Sequence, residues 1–121
     1  MSTINVSNLN DGTTTVGTTY ITNGSAKAWA NTGSGTTTRG SFNLSSLTDN
    51  GTGDYTYNFT SSMNNNDFTT TTSAFRDNDA YTGIYFDDQT TSRTKTRHYD
   101  RGTTTRGDVD SVYIVINGDL A

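Results

Sequence analysis

The 121-residue sequence contains no cysteine, no proline and no glutamate, and it has one histidine and one tryptophan. Without cysteine there is neither a disulfide framework nor a thiolate metal site. Without glutamate every acid is Asp, a turn residue that is poor in helix interiors, so the composition points away from a helical enzyme. Large apolar side chains are scarce as well. Leu, Ile, Val and Phe make up about a sixth of the chain, below the ~20% under which disorder is expected. That rule also requires a high net charge, which here is only −4. No apolar run approaches the ~18 residues of a membrane-spanning helix, and the first residues lack the charged and apolar regions of an export signal, so membrane insertion is not expected. The mildly acidic balance gives no reason to expect nucleic acid as a partner.

Thr fills the gap at roughly a fifth of the residues, beside seven Tyr and five Phe; these types fit a pleated, half-buried surface. A single thin all-β domain follows, with a core small enough that oligomerisation would supply missing buried area.

Along the chain, residues 1–25 hold few large side chains. Ile4 and Val6 alternate with Asn5 and Ser7 as a short half-buried strand would, and Asp11-Gly12 signals a turn. This segment cannot form its own core. It reads either as a frayed terminus or as an extended arm whose Ile4, Val6, Leu9 and Val16 bury against neighbouring copies or a larger assembly. Ala26 to Asn31 reads as a strand with Lys27 and Trp29 on one face and alanines on the other. After the Gly33-Ser34-Gly35 break, Thr36 to Thr48 forms another, with Phe42 and Leu44 sharing a face. Asp49 to Asp54 is a tight polar turn whose Asn50-Gly51 pair suits a type I′ hairpin. The return strand alternates Tyr55, Tyr57 and Phe59 with Thr56, Asn58 and Thr60, the clearest strand pattern in the sequence. A Thr-rich strand runs from Phe68 to Phe75 with little to bury. Ala80 to Phe86 is a strand carrying a bulge or close packing at Gly83, closed by Asp87-Asp88. Thr90 to Asp100 places Arg93, Lys95 and Arg97 opposite Thr94, Thr96 and His98. Val109 to Ile116 is the most apolar strand and should lie centrally. The sum is an antiparallel β-sandwich of about seven or eight short strands over residues 26–121, with no helical periodicity. Gly35 to Gly40 and Gly102 to Gly107 both spell Gly-Thr-Thr-Thr-Arg-Gly, but their flanks do not align.

Candidate chemistry is thin. The Asp49–Asp54 loop, and the Asp77/Asp79, Asp87/Asp88 and Asp108/Asp110 pairs, read as surface turns rather than as the ~6–8 oxygen ligands of a calcium site. His98 has only Asp100 near it in sequence and reads as a solvated strand residue, not a general base. No catalytic residue, metal ligand or cofactor is expected. Arg106-Gly107-Asp108 spells a familiar adhesion tripeptide by coincidence. The basic run Arg93, Lys95, Arg97 and Arg101 is either a solubilising strand face that guards against aggregation or a contact for an anionic surface group. In the second case Tyr81, Tyr85 and Tyr99 would serve as stacking platforms. The receptor-binding candidates are therefore Tyr81, Tyr85, Arg93, Arg97, Tyr99 and Arg101.

The block Gly24 to Met63 carries a resemblance. Lys27-Ala28-Trp29, Ser41-Phe42-Asn43, Ser45-Ser46, Thr48 to Thr56 and Asn58-Phe59 resemble a segment recurring in tail-fibre and other virion appendage proteins of tailed phages, particularly marine and cyanophage types. The match covers about a third of the chain. Family members often continue with Met-Pro-Asp, whereas here Met63 is followed by Asn64-Asn65-Asn66-Asp67. Residues 68–107 have no counterpart. The resemblance implies a virion structural protein, a homotrimer with an N-terminal attachment part and a distal β domain. The expectation for this chain is then a fibre subunit bound to other tail or capsid proteins through residues 1–25, with its β domain meeting host-surface glycan. The resemblance implies no catalytic residue. A capsid-decorating or head-fibre protein is the alternative.

Overall fold

The computed structural model describes residues 1–76, 79–81, 83–100 and 102–121, with side chains described outside 79–81 and 83–87. The chain is a small all-β protein with antiparallel sheets. Residues 1–25 contain a hairpin of β1 (Asn8–Asn10) and β2 (Thr15–Gly17) and a short helix, α1 (Thr18–Gly24). The remaining strands are β3 (Ala26–Gly33), β4 (Thr38–Phe42), β5 (Leu44–Asp49), β6 (Asp54–Phe59), β7 (Thr69–Arg76), β8 (Asp79–Tyr81), β9 (Gly83–Thr90), β10 (Arg93–Tyr99) and β11 (Ser111–Asn117). They form a five-stranded sheet ordered β4-β3-β11-β7-β8 and a four-stranded sheet ordered β5-β6-β10-β9. Consecutive hairpins alternate between the sheets, and β11 then inserts between β3 and β7.

The core lies between the sheets. Ala28 and Ala30 of β3, Ala74 of β7 and Val112, Ile114 and Ile116 of β11 face Tyr55, Tyr57 and Phe59 of β6, with Leu44 and Leu47 at the margin. Met63, Phe68 and Val109 close it from the loops. Phe59 and Phe68 meet edge to face at 5.7 Å, a geometry that favours aromatic pairs beyond their area. Because the apolar supply is small, threonine enters the interior: Thr32, Thr94 and Thr96 are buried. Thr32 donates to the Val112 carbonyl at 3.4 Å.

Several expectations change. The segment expected as one strand from Thr36 to Thr48 is two, because Asn43 adopts φ 55° and turns the chain from one sheet to the other. Asn tolerates that left-handed conformation, and its side chain holds the corner. Nδ2 donates to the Lys27 and Ser61 carbonyls at 3.0 and 3.1 Å, while Oδ1 accepts from the Ser61 amide at 2.7 Å. Phe42 and Leu44 therefore sit on different sheets. Ala80 to Phe86 likewise divides between β8 and β9, which belong to different sheets, and β9 runs on through Asp87 and Asp88 to Thr90. Asp88, at φ 57°, lies at the register shift opposite β10. Sandwich corners are commonly made this way, and period-2 reading alone does not detect them. The strand expected at Ile4–Val6 is absent, and a helix appears at α1, too short and polar to show periodicity.

The turn after β5 is a four-residue loop, not a type I′ pair. Its positive φ values fall at Gly51 (117°) and Gly53 (62°), and the Asn50 and Asp54 backbones bond each other through Asn50 N–H at 2.8 Å. Gly53 is additionally crowded: a Cβ there would sit 2.6 Å from the Gly107 carbonyl and 2.7 Å from that of His98. Gly35 shares its φ but faces open space. Gly35→Ala should cost about 1–2 kcal/mol for backbone conformation alone. Gly53→Ala should cost clearly more in a urea titration, since two carbonyls must also move; equal losses would refute the close-packing account.

Candidate functional site

The basic strand β10 stands between β6 and β9 with alternating burial. Thr94, Thr96 and His98 point into the core, and Arg93, Lys95 and Arg97 point outward as expected. The outward cations are engaged. Asp54, the first residue of β6, is nearly buried, and it accepts Lys95 Nζ at 3.1 Å, Arg97 Nε at 3.3 Å and Arg106 Nη1 at 2.9 Å. Burial alone would raise the Asp54 carboxyl, but the Lys95 ammonium, Arg97 and Asn50 outweigh it and hold the group below the ordinary carboxylate range. Asp54 is thus a structural anion, not the surface-turn acid its place in the loop suggested. Arg93 pairs with Asp88 at 2.6 Å on the exposed surface, a geometry that contributes little net stability.

Of the other receptor-binding candidates, Tyr99 is half-buried. The side chains of Tyr81 and Tyr85, and all of Arg101, lie outside the described residues. The tripeptide at 106–108 is committed to the fold. Arg106 serves Asp54, and Asp108 Oδ1 accepts the Gly53 amide at 2.7 Å and the Tyr55 hydroxyl at 3.4 Å. The two Gly-Thr-Thr-Thr-Arg-Gly segments share more than letters. Gly35 and Gly102 both have positive φ, and each arginine turns back onto the sandwich, Arg39 donating to Ser111 Oγ at 2.6 Å.

His98 corrects another expectation: it is fully buried, not solvated. Its ring meets Tyr55 edge-on at 5.7 Å, and Nε2 lies 3.0 Å from Thr96 Oγ1. Nδ1 has no hydrogen-bond partner among the described residues. Burial pushes the imidazole down to about 4, against a smaller opposing effect of Asp54.

The N-terminal candidates are placed together only in part. Leu9 and Val16 are cross-strand partners in the hairpin, while Ile4 and Val6 precede it. All four are exposed, as are Tyr20 and Ile21 of α1. Lys27 fastens this segment to the sandwich, its Nζ donating to the Thr22 carbonyl and to both oxygens of Ser25. An open cleft of about 620 Å³ separates the end of α1 from the sheet, lined by Asn23, Lys27, Phe42, Asn64, Asp119 and Leu120.

A surface that sequence reading missed lies on the outer face of the five-stranded sheet. Trp29 is paired with Phe42 on one side and Val115 on the other, and Tyr113 stacks on Phe75 at 6.4 Å and 18°. Trp29, Phe42, Tyr113 and Val115 are each 41–53% exposed. The signal was present in Val112 to Ile116, apolar or aromatic at every position, which in an antiparallel strand means that both faces want cover. Comparison with protein-family models, with curated proteins and with solved structures finds no match.

The buried histidine and the shielded carboxylate set the response to acid. The unfolded chain takes up a proton at His98 near pH 6.5 and the fold only near 4. Stability is therefore complete above about 6.5 and falls by roughly 3 kcal/mol as the pH drops to 4. The lowered Asp54 group extends the decline below that, because its contribution is present above the usual carboxylate range and is lost on protonation. Urea titrations should show this slope in the native chain and lose its upper part in His98→Leu; an unchanged slope would contradict the assignment. Asp54→Asn should destabilise by about 3 kcal/mol or more at neutral pH, since it leaves three cations around a neutral amide. A loss below 1 kcal/mol would show that the cluster is incidental.

Proposed function

We propose that the chain is a structural protein of a tailed-phage virion, a fibre or appendage subunit. Residues 1–25 act as an arm that attaches and trimerises, and the sandwich projects to meet host-surface glycan. The observation that carries this reading is the division of apolar surface. The sandwich closes a core of its own, while the arm displays Ile4, Val6, Leu9, Val16, Tyr20 and Ile21 to solvent. A two-stranded hairpin is marginal by itself, so the arm gains by burying these side chains in an assembly. The virion itself is supplied by the resemblance over Gly24–Met63, whose residues here build β3 to β6. Binding by such a subunit would be shallow and multivalent, and linked copies gain avidity without new contacts.

A second reading, a capsid-decorating or head-fibre protein with a mainly structural role, is favoured by one observation: Lys95, Arg97 and Arg106 are engaged by Asp54, not presented to a ligand. Arg93 is the better adsorption candidate, because losing its exposed pair with Asp88 leaves the fold intact.

Antibodies raised against the purified chain distinguish the readings on intact particles. The fibre reading expects labelling of the appendages, competition by free protein for host adsorption, and weaker competition by Arg93→Ser at unchanged thermal stability. Label spread over the capsid without competition would favour the second reading, and unlabelled particles would overturn both.

A further inference from the structure

Among the described residues, exposed large apolar side chains gather in two places, with Leu120 apart from both. One is the outer face of the five-stranded sheet, where Phe42, Trp29, Val115 and Tyr113 cross three neighbouring strands. Trp29 lies along Gly40, with two ring atoms 3.5 and 3.6 Å from where a Cβ would be. Among the described residues, the outer face of the four-stranded sheet is unlike it, bearing Ser46, Thr48, Thr56, Asn58, Lys95 and Arg97. A polar face needs no cover, whereas an apolar patch of this kind marks an interaction surface.

The other place is the hairpin of β1 and β2 with α1. Among the described residues, the hydrogen bonds of residues 1–17 stay within the first 22. None of the seven residues of α1 is buried. The segment leaves the sandwich beside the aromatic sheet, since Asn23 and Phe42 line the same cleft.

We propose that the arm of one copy lies across the outer face of the five-stranded sheet of a second copy, placing Leu9, Val16, Tyr20 and Ile21 on Trp29, Phe42, Tyr113 and Val115. The inference deepens the assembly part of the proposed function by naming the surface that receives the arm. Areas support it. At ~150–250 Å² per aromatic side chain, the three aromatics of the face leave roughly 300 Å² in water at their observed exposure. The arm's larger set at least doubles this, and two copies that exchange arms reciprocally approach the ~800 Å² per partner of a stable interface. Charge does not oppose contact, since the only side chain in residues 1–25 charged at neutral pH is that of Asp11. Exchanged reciprocally, such contacts close at two copies; passed head to tail they close into a ring, of which a trimer is the smallest, with one arm and one face at each interface.

The absence of cysteine makes a direct test available. Val16→Cys in an isotopically heavy chain and Val115→Cys in a light one, mixed and mildly oxidised, should give a heavy–light disulfide dimer well above the level reached with Thr48→Cys, on the outer face of the other sheet, as the light partner. Leu9→Cys and Tyr113→Cys repeat the test where either first variant folds poorly. Trp29→Ser with Val115→Ser should leave the far-ultraviolet dichroism unchanged and convert an oligomeric mass into that of a monomer. Deletion of residues 1–21 should likewise give the monomer mass. Three results would each overturn the inference: no heavy–light product above the control, an oligomer that survives Trp29→Ser with Val115→Ser, or a monomeric native chain. In the last case, a shift of Trp29 emission on adding neutral oligosaccharide would identify the face as a glycan platform. An oligomer lost on arm deletion but kept in the face variant would sink the docking site and leave the fibre-subunit reading standing.

Discussion

Strand β11 comes last in the sandwich's sequence and lies at the centre of its larger sheet, hydrogen-bonded to β3 on one side and β7 on the other. Its pairing is the constraint on which the other elements depend. Val112, Ile114 and Ile116 form the floor of the core, and without them Ala28, Ala30 and Ala74 offer too little area to hold Tyr55, Tyr57 and Phe59. The partners of β11 lie far off in sequence, since Val112 pairs with Thr32 and with Ala74. Such long-range closure is slow to form, and it joins the β3–β4 hairpin to the β7–β8 hairpin in one sheet. The same strand also creates the aromatic outer face, because Tyr113 and Val115 alternate with the core residues.

Around Gly53 and Asp54, order comes from polar groups. Gly53 sits against the backbones of His98 and Gly107, Asp108 accepts its amide, and Asp54 gathers Lys95, Arg97 and Arg106. Three segments distant in sequence converge on one carboxylate and one glycine. A chain poor in large apolar residues compensates in this way: its interior contains Thr32, Thr94, Thr96 and His98, and its rim is tied by charge-assisted hydrogen bonds. The arrangement explains why, among the described residues of the basic run, Lys95 and Arg97 serve the scaffold while Arg93 pairs at the exposed surface.

Where local chemistry decides, the sequence was a good guide. Alternation in Tyr55–Phe59 and in Arg93–His98 assigned the correct faces, and Asp11-Gly12 and Asn50-Gly51 marked real turns. The central place of β11 also followed from its composition. The corners were hidden, because Asn43 and the passage from Tyr81 to Gly83 interrupt strands whose period-2 pattern continues through them. The roles of Asp54 and His98 were hidden as well. Their burial depends on partners up to some 50 residues away, and a turn acid or a strand histidine looks the same in sequence whether covered or bare. The aromatic sheet face was legible in principle, yet its members come from β3, β4 and β11, and only the sheet order brings them together.

The central claim is that this chain completes its apolar burial in an assembly, through the face that carries its one tryptophan. Sedimentation equilibrium read together with Trp29 emission over a dilution series tests it most directly. The account predicts a mass above that of the monomer at high concentration, with blue-shifted emission that moves to the red in step with dissociation. A monomeric mass and constant emission across the whole series would contradict it.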